Sequence, residues 1–202
     1  MNAQDTLGQN ASVNMGKWIS QAWDLIFGDL GTFLLLSIIY LAVTIVASST
    51  VIGGIILIGP LTVGFFYILL QKVGGKPYEI GDIGKGFNYF AAAVISNILI
   101  SLLVALGLIF CIIPGFIITA LYIFTPLFIV DRNMDFWQAM EASRKLVGKH
   151  IFEMTIFVLL LCIILIGGLL VCGVGVILAL PLCFAAISLA YADLAGPISE
   201  IE

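Results

Sequence analysis

Side chains able to do chemistry are few in this chain, and they are scattered. Of 202 residues, one is histidine, four are cysteine and twelve are Asp or Glu. His150 stands beside Lys149 at the mouth of a long apolar run, a place that suits an interfacial cap or a surface imidazole better than a ligand. Cys111, Cys162, Cys172 and Cys183 all fall in apolar runs without CxxC spacing, so they read as small core residues. A disulfide between Cys111 and Cys172, both near expected turns, is the alternative. A zinc-binding HExxH helix, a GxSxG nucleophile elbow and a phosphate loop with its lysine are all missing. Gly173-Val174-Gly175-Val176 joins two apolar stretches and has no nucleotide-binding context. No catalytic, cofactor-binding or metal-ligating residue is nominated, no cofactor is expected, and an enzyme is the weakest reading.

The remaining candidates are polar residues at or inside the apolar runs: Asp29, Asn97, Asp131, Glu153 and Asp193. A charge within a membrane is the best marker of a transport path, but none of these acids falls at the centre of an expected crossing. Asp131 can pair with Arg132, and Glu153 with Lys149. Two readings stand. In the plainer one the four acids cap helices and form ion pairs along one rim. In the other they gather around a vestibule. Asn97 is costly to leave facing lipid, so it is expected to face the bundle, through a helix contact or a substrate contact.

The elements that must position these residues are set by composition. Hydrophobic residues make up 62% of the chain and charged residues 10%, against about 25% charged in soluble domains. Mean hydropathy is +1.21. Leu30 to Gln71, Phe87 to Val130 and Met154 to Ala192 contain no charge at all. A crossing needs about 20 apolar residues, so each stretch holds two. Each is interrupted near its middle: Ser48-Ser49-Thr50 through Gly53-Gly54, Cys111 through Pro114-Gly115, and Gly167-Gly168 through Cys172-Gly173-Val174-Gly175. A single helix of such length would run about 60 Å, twice the hydrocarbon thickness, so these are turns. The expected crossings are 30–50, 54–71, 91–110, 115–130, 153–171 and 175–192.

All eight basic residues, Lys17, Lys72, Lys76, Lys85, Arg132, Arg144, Lys145 and Lys149, lie before the first stretch or between stretches. Six crossings put those segments on one side, and the bias of basic residues assigns that side, with both termini, to the cytoplasm. Residues 1–13 read as a flexible tail, 14–196 as one membrane domain and 197–202 as a short acidic tail. Met1 to Asn14 has no Lys or Arg and is not expected to be a cleaved signal. The net charge of -4 gives no support to nucleic-acid binding.

Each pair of crossings is preceded by an amphipathic segment. Met15, Trp18, Ile19, Ala22, Trp23, Ile26 and Phe27 share one helical face in the first; Ile80, Ile83, Gly84 and Phe87 oppose Glu79, Asp82 and Lys85 in the second. In the third, Phe136, Trp137, Met140 and Val147 oppose Glu141, Lys145 and Lys149, with Glu141 and Lys145 at a favourable i,i+4 spacing. Such segments suit the membrane interface; packing beneath the bundle is the rival placement. Pro60, Pro114 and Pro181 recur at comparable places. The expected fold is therefore an all-α polytopic bundle of six transmembrane helices, built from three repeated hairpin units with short interfacial helices. Gly168 and Cys172, four apart, form a small-xxx-small pair fit for an intrachain or oligomer contact.

Gly59-Pro60 with Gly64, Ile113-Pro114-Gly115, Phe136-Trp137-Gln138-Ala139, Ser143-Arg144-Lys145-Leu146-Val147, Pro181 and Tyr191-Ala192-Asp193-Leu194 resemble a group of uncharacterised prokaryotic integral membrane proteins. That group is similar to the membrane domain attached to some glycerophosphodiester phosphodiesterases. The resemblance runs from Trp18 to Gly196 and implies a six-helix membrane domain in the prokaryotic inner membrane. The soluble catalytic barrel of those enzymes has no counterpart in these 202 residues, so phosphodiesterase activity is not expected. Three function classes follow. The favoured one transports, conducts or handles an ion, small molecule or lipid. A structural or assembly factor is the second, and a membrane enzyme the third. Membrane lipids and further copies of the chain are the expected partners.

Overall fold

The computed structural model describes residues 13–110, 112–170 and 175–199. Among these residues the fold is helical throughout. Helix α1 (Met15–Phe27) leads into α2 (Leu30–Ser48) and α3 (Val51–Val73). A 3₁₀ helix (Ile80–Tyr89) then leads into α4 (Phe90–Phe110), α5 (Ile112–Tyr122) and α6 (Thr125–Arg132). Finally α7 (Phe136–Gly148) leads into α8 (Ile151–Leu170) and α9 (Gly175–Ala195). The described residues contain six spans long and apolar enough to cross a membrane. Helices α2 and α3, with 19 and 23 residues, are about 28–35 Å long, matching a hydrocarbon core of about 30 Å. This is a multi-pass integral membrane protein.

The three units share an order: amphipathic segment, first crossing, second crossing. Burial adds a distinction that periodicity did not carry. Within the crossings, 28% of α2 is buried but 67% of α3, and the later pairs follow the same order. The first crossings (α2, α4, α8) form the outside of the bundle, and the second crossings its inside. Outer helices show apolar residues all round, as a lipid-facing helix must. Val46, Phe110 and Leu170, at the far ends of α2, α4 and α8, are strongly exposed.

Between the inner helices the interior is filled with aromatic rings. Phe184 of α9 packs on Phe65 and Phe66 of α3 at centroid distances of 5.0 and 4.9 Å. Tyr40 of α2 closes the cluster edge-on at 5.7 Å from Phe184. Edge-to-face pairs of this kind add to area burial. Most hydroxyls inside the crossings are consumed by their own helices. Ser37 donates to the Phe33 carbonyl at 2.8 Å, Thr119 to Gly115 at 2.9 Å and Ser188 to Phe184 at 3.0 Å.

The fourth crossing differs from the single helix expected over 115–130. It is broken at Ile123-Phe124 into α5 and α6. Pro126 lacks an amide hydrogen and its ring crowds the carbonyl four residues earlier, so the α-helical ladder cannot run through it. The freed backbone groups are taken up by Ser143 of α7, whose hydroxyl donates to the Leu121 carbonyl at 2.7 Å and accepts from the Phe124 amide at 3.3 Å. Ser143 is fully buried. Irregular backbone at such depth requires this kind of partner.

The second amphipathic segment is 3₁₀, where a period of 3.6 was expected. Its sequence has a three-residue period: Ile80, Ile83, Gly86 and Tyr89 form one row, Gly81, Gly84, Phe87 and Phe90 the next, and Asp82, Lys85 and Asn88 the third. Side chains three apart eclipse in a 3₁₀ helix, so each row is one face. The first row packs on α3. Gly64 and Gly86 let the two backbones touch: a methyl on Gly64 would strike the Ile83 carbonyl, and one on Gly86 the Pro60 carbonyl. The segment therefore runs along one half of α3. The Gly row is exposed, and Phe87 and Phe90 stack there at 6.5 Å.

Amphipathic faces elsewhere divide similarly. On α1, Trp18, Ala22 and Ile26 are fully buried, while Trp23 and Phe27 are exposed and stack at 4.4 Å. On α7, Met140 and Val147 are buried, but Trp137 points out of the bundle. Each segment thus packs on the bundle with one stripe and presents aromatic rings beside it. Cys111 and Cys172, with the disulfide and the Gly168–Cys172 pair suggested for them, lie outside the described residues. Gly168 instead approaches Gly175 and Ala179 across the third hairpin.

Candidate functional site at the polar end of the bundle

The start of α1, the end of α9, the inter-unit connections and the basic residues they carry meet at one end of the bundle, and most of the polar contacts among the described residues are there. Three of the five candidate residues each hold a different joint. Asp29 precedes α2 and faces the start of the next unit. Tyr78 donates its hydroxyl to Asp29 Oδ2 at 2.5 Å, and Lys72 Nζ donates to the Tyr78 hydroxyl at 2.8 Å. Lys72 Nζ lies 3.8 Å from the carboxylate and 5.0 Å from the Phe33 ring centroid. The Tyr78 hydrogen bond holds the Asp29 carboxyl below the usual aspartate range. Burial, then the same bond, raises the Tyr78 phenol.

Asp131 is the most enclosed acid among the described residues, with its side chain fully buried. Its Oδ2 accepts from the Tyr191 hydroxyl at 2.6 Å and Arg132 Nε at 2.9 Å, and its Oδ1 from the Ser199 amide at 2.7 Å. Arg132 also donates from Nη2 to the Ala195 carbonyl at 3.3 Å. One carboxylate thus joins α6, α9 and the chain that follows α9. Phe124 and Phe128 pack edge-on against the Tyr191 ring at 5.8 and 5.0 Å.

Asp193 anchors α1 to α9. Trp18 donates its indole N–H to Asp193 Oδ2 at 2.9 Å, and Lys17 Nζ lies 3.3 Å from Oδ1. The Trp18 ring packs on Phe157 of α8 at 5.3 Å. α1 is positioned for this by its cap, Asn14, whose side chain accepts from the Lys17 amide at 3.0 Å.

The other two candidates sit apart. Glu153 is exposed in the first turn of α8, where a carboxylate favours the helix dipole. Asn97 is half-buried on α4 and faces α3 at Gly59. The five residues are therefore not gathered around one point. Among the described residues no group of three or more His, Cys, Asp or Glu could hold a metal ion. Cys162 and Cys183 are free thiols.

A further polar group was not singled out by sequence reading. Tyr67, buried on α3, accepts at its hydroxyl from Gln71 Nε2 at 2.9 Å and from Lys85 Nζ at 3.0 Å. Lys85 also pairs with Asp82 at 3.1 Å and stands 4.8 Å from the Tyr67 ring centroid. This group ties the polar row of the 3₁₀ helix to α3. The i,i+4 spacing of Tyr67 and Gln71, and the triplet spacing of Asp82 and Lys85, were the available signals.

On the outer face of α7, Glu141 binds Arg144 through both oxygens, at 2.9 and 2.7 Å, with Lys145 Nζ at 3.5 Å. Arg144 holds the Glu141 carboxyl below the usual glutamate range. Chemically, the polar end offers hydrogen-bonded acids already paired, a few exposed cations and exposed aromatic rings. A scan against protein-family models matched none, and searches of curated proteins and of solved structures found no match.

Proposed function

We propose that this protein handles membrane lipid at the leaflet that meets its polar end, rather than conducting ions through its own bundle. One observation carries this reading. The interior between α3 and α9 is filled by Phe65, Phe66 and Phe184, while ion pairs and exposed aromatics are concentrated at one end. An ion path needs polar groups free to replace water along its length. Here Ser37, Thr119 and Ser188 already donate to their own helices. Exposed Trp23 and Trp137 have the amphipathic rings favoured where headgroups meet acyl chains, and exposed Phe27 stacks on Trp23 there.

The basic-residue bias assigns the polar end, with both termini, to the cytoplasmic side. The resemblance to prokaryotic six-helix membrane proteins supports reading that side as the inner leaflet of the cell membrane. Reconstitution in lipid nanodiscs followed by native mass measurement tests the reading. A monomer or dimer retaining lipid, with no ion flux in proteoliposomes, is expected. A closed oligomer that conducts ions would refute it, because the path would then run between subunits. A protein retaining no lipid would favour an assembly role.

A further inference from the structure

Helix α7 has two faces, and the bundle accounts for only one. Ala139, Met140, Ser143, Leu146 and Val147 are buried in it. The stripe holding Trp137, Glu141, Arg144 and Lys145 faces outward. Trp137 is 64% exposed, and Phe152, just beyond the helix, is 81% exposed. Residues 141–149 hold Arg144, Lys145 and Lys149 against the single acid Glu141, a local positive excess in a chain of net charge -4. Glu141 holds Arg144 and Lys145 side by side through the contacts given above. A guanidinium has five N–H donors and an ammonium three, so Glu141 leaves donors on both for a second anion.

We propose that this stripe binds the phosphate of an anionic phospholipid headgroup, with Arg144 and Lys145 donating to it and Trp137 and Phe152 seated in the adjoining apolar layer. Two features select this occupant. The local charge is opposite to that of the lipid and of the protein as a whole. Large exposed rings flanking the cations along the chain, Trp137 before them and Phe152 after them, suit a surface where charge and hydrocarbon meet, and free phosphate in water would leave those rings without a role. Ser143 projects from the opposite face of the same helix to bridge the break between α5 and α6, so a headgroup held here bears directly on that joint. The inference rests on the lipid reading above and adds the headgroup charge and the residues that recognise it.

The test is lipid retention by native mass measurement, and binding in nanodiscs of phosphatidylcholine with or without phosphatidylglycerol. The wild-type protein prefers phosphatidylglycerol, and the preference falls as salt is raised. Replacing both Arg144→Gln and Lys145→Gln lowers phosphatidylglycerol affinity roughly thirtyfold. Glu141→Gln strengthens it, Lys76→Gln leaves it unchanged, and millimolar glycerol phosphate does not compete. Should the double variant fail to fold, the wild-type salt dependence and Glu141→Gln carry the test alone. Lipid retained without regard to headgroup charge, or a folded double variant with undiminished preference, overturns this inference and leaves the lipid reading standing. Competition by glycerol phosphate overturns the lipid-surface assignment. A wild-type protein that retains no lipid overturns both.

Discussion

Replacing Asp131 with alanine probes the joint on which most of the polar end depends. The carboxylate is fully buried and accepts from Tyr191, Arg132 and the Ser199 amide. Its removal strands a phenol, an amide and part of a guanidinium at once. Breaking a buried charged pair by removing one partner costs about 3–5 kcal/mol. Tyr191→Phe is gentler: the ring keeps its packing on Phe124 and Phe128, and Asp131 keeps Arg132 and the Ser199 amide. The loss is the hydroxyl's hydrogen bond to the carboxylate, about 1.5–3 kcal/mol, together with its contact to Arg132. The two changes share one contact, so the double variant should fall short of the sum of the single effects by about 1–2 kcal/mol. Equilibrium unfolding in mixed micelles measures all three. Limited proteolysis after Ala195 supplies a second readout, because the Ser199 amide loses its acceptor in Asp131→Ala but keeps it in Tyr191→Phe. Additive effects, or a tail equally protected in every variant, would refute the view that Asp131 binds these elements together.

Ser143→Ala should cost about 1–3 kcal/mol, since it leaves the Phe124 amide and the Leu121 carbonyl without their partner in the break; unfolding in the same micelles checks it. Gly86→Ala should destabilise by more than about 1 kcal/mol, because its methyl strikes the Pro60 carbonyl. Gly81→Ala, on the exposed row with open space around it, is the control expected to be near neutral. Acid should weaken the Asp29 joint: a carboxyl with its folded pKa held down by Tyr78 stabilises above the unfolded value of about 4 and loses that contribution as pH falls through the folded value. Asp29→Asn should flatten this part of the pH–stability profile, and an unchanged slope would count against the joint.

The crossings were legible because exclusion of charge from lipid leaves long marks in a sequence. The uncharged stretch Leu30 to Gln71 became α2 and α3, with the turn at Ser49-Thr50. Their inside–outside order was less legible, since both kinds of crossing are apolar all round and only packing distinguishes them. The broken fourth crossing had a visible cause in Pro126, but 115–130 is short enough to pass for one helix. The 3₁₀ segment looks amphipathic at a period of 3.6 as well, through Ile80, Ile83, Gly84 and Phe87, although Ile80, Ile83, Gly86 and Tyr89 carry a period of three. Partners of the rim acids were the least accessible part. Adjacency alone pairs Asp131 with Arg132, and that pair is present. Tyr191 and Ser199 reach it only through the fold, as Trp18 reaches Asp193 across 175 positions. Sequence marks where a carboxylate stands at a rim; it does not mark what folds onto it.

Water access along the inner helices tests the central claim most directly. Single cysteines placed at Thr62 of α3, which pairs with the Tyr40 hydroxyl at 3.0 Å, at Ser188 of α9, at Ser37 of the neighbouring α2 and at Lys85 in a background free of native cysteines can be challenged with a charged thiol reagent from each side of sealed vesicles. Position 85 should react from the side bearing the basic residues, and positions 37, 62 and 188 from neither. A continuous series of reactive positions along α3 and α9 would instead reveal an aqueous path through the bundle and contradict the account.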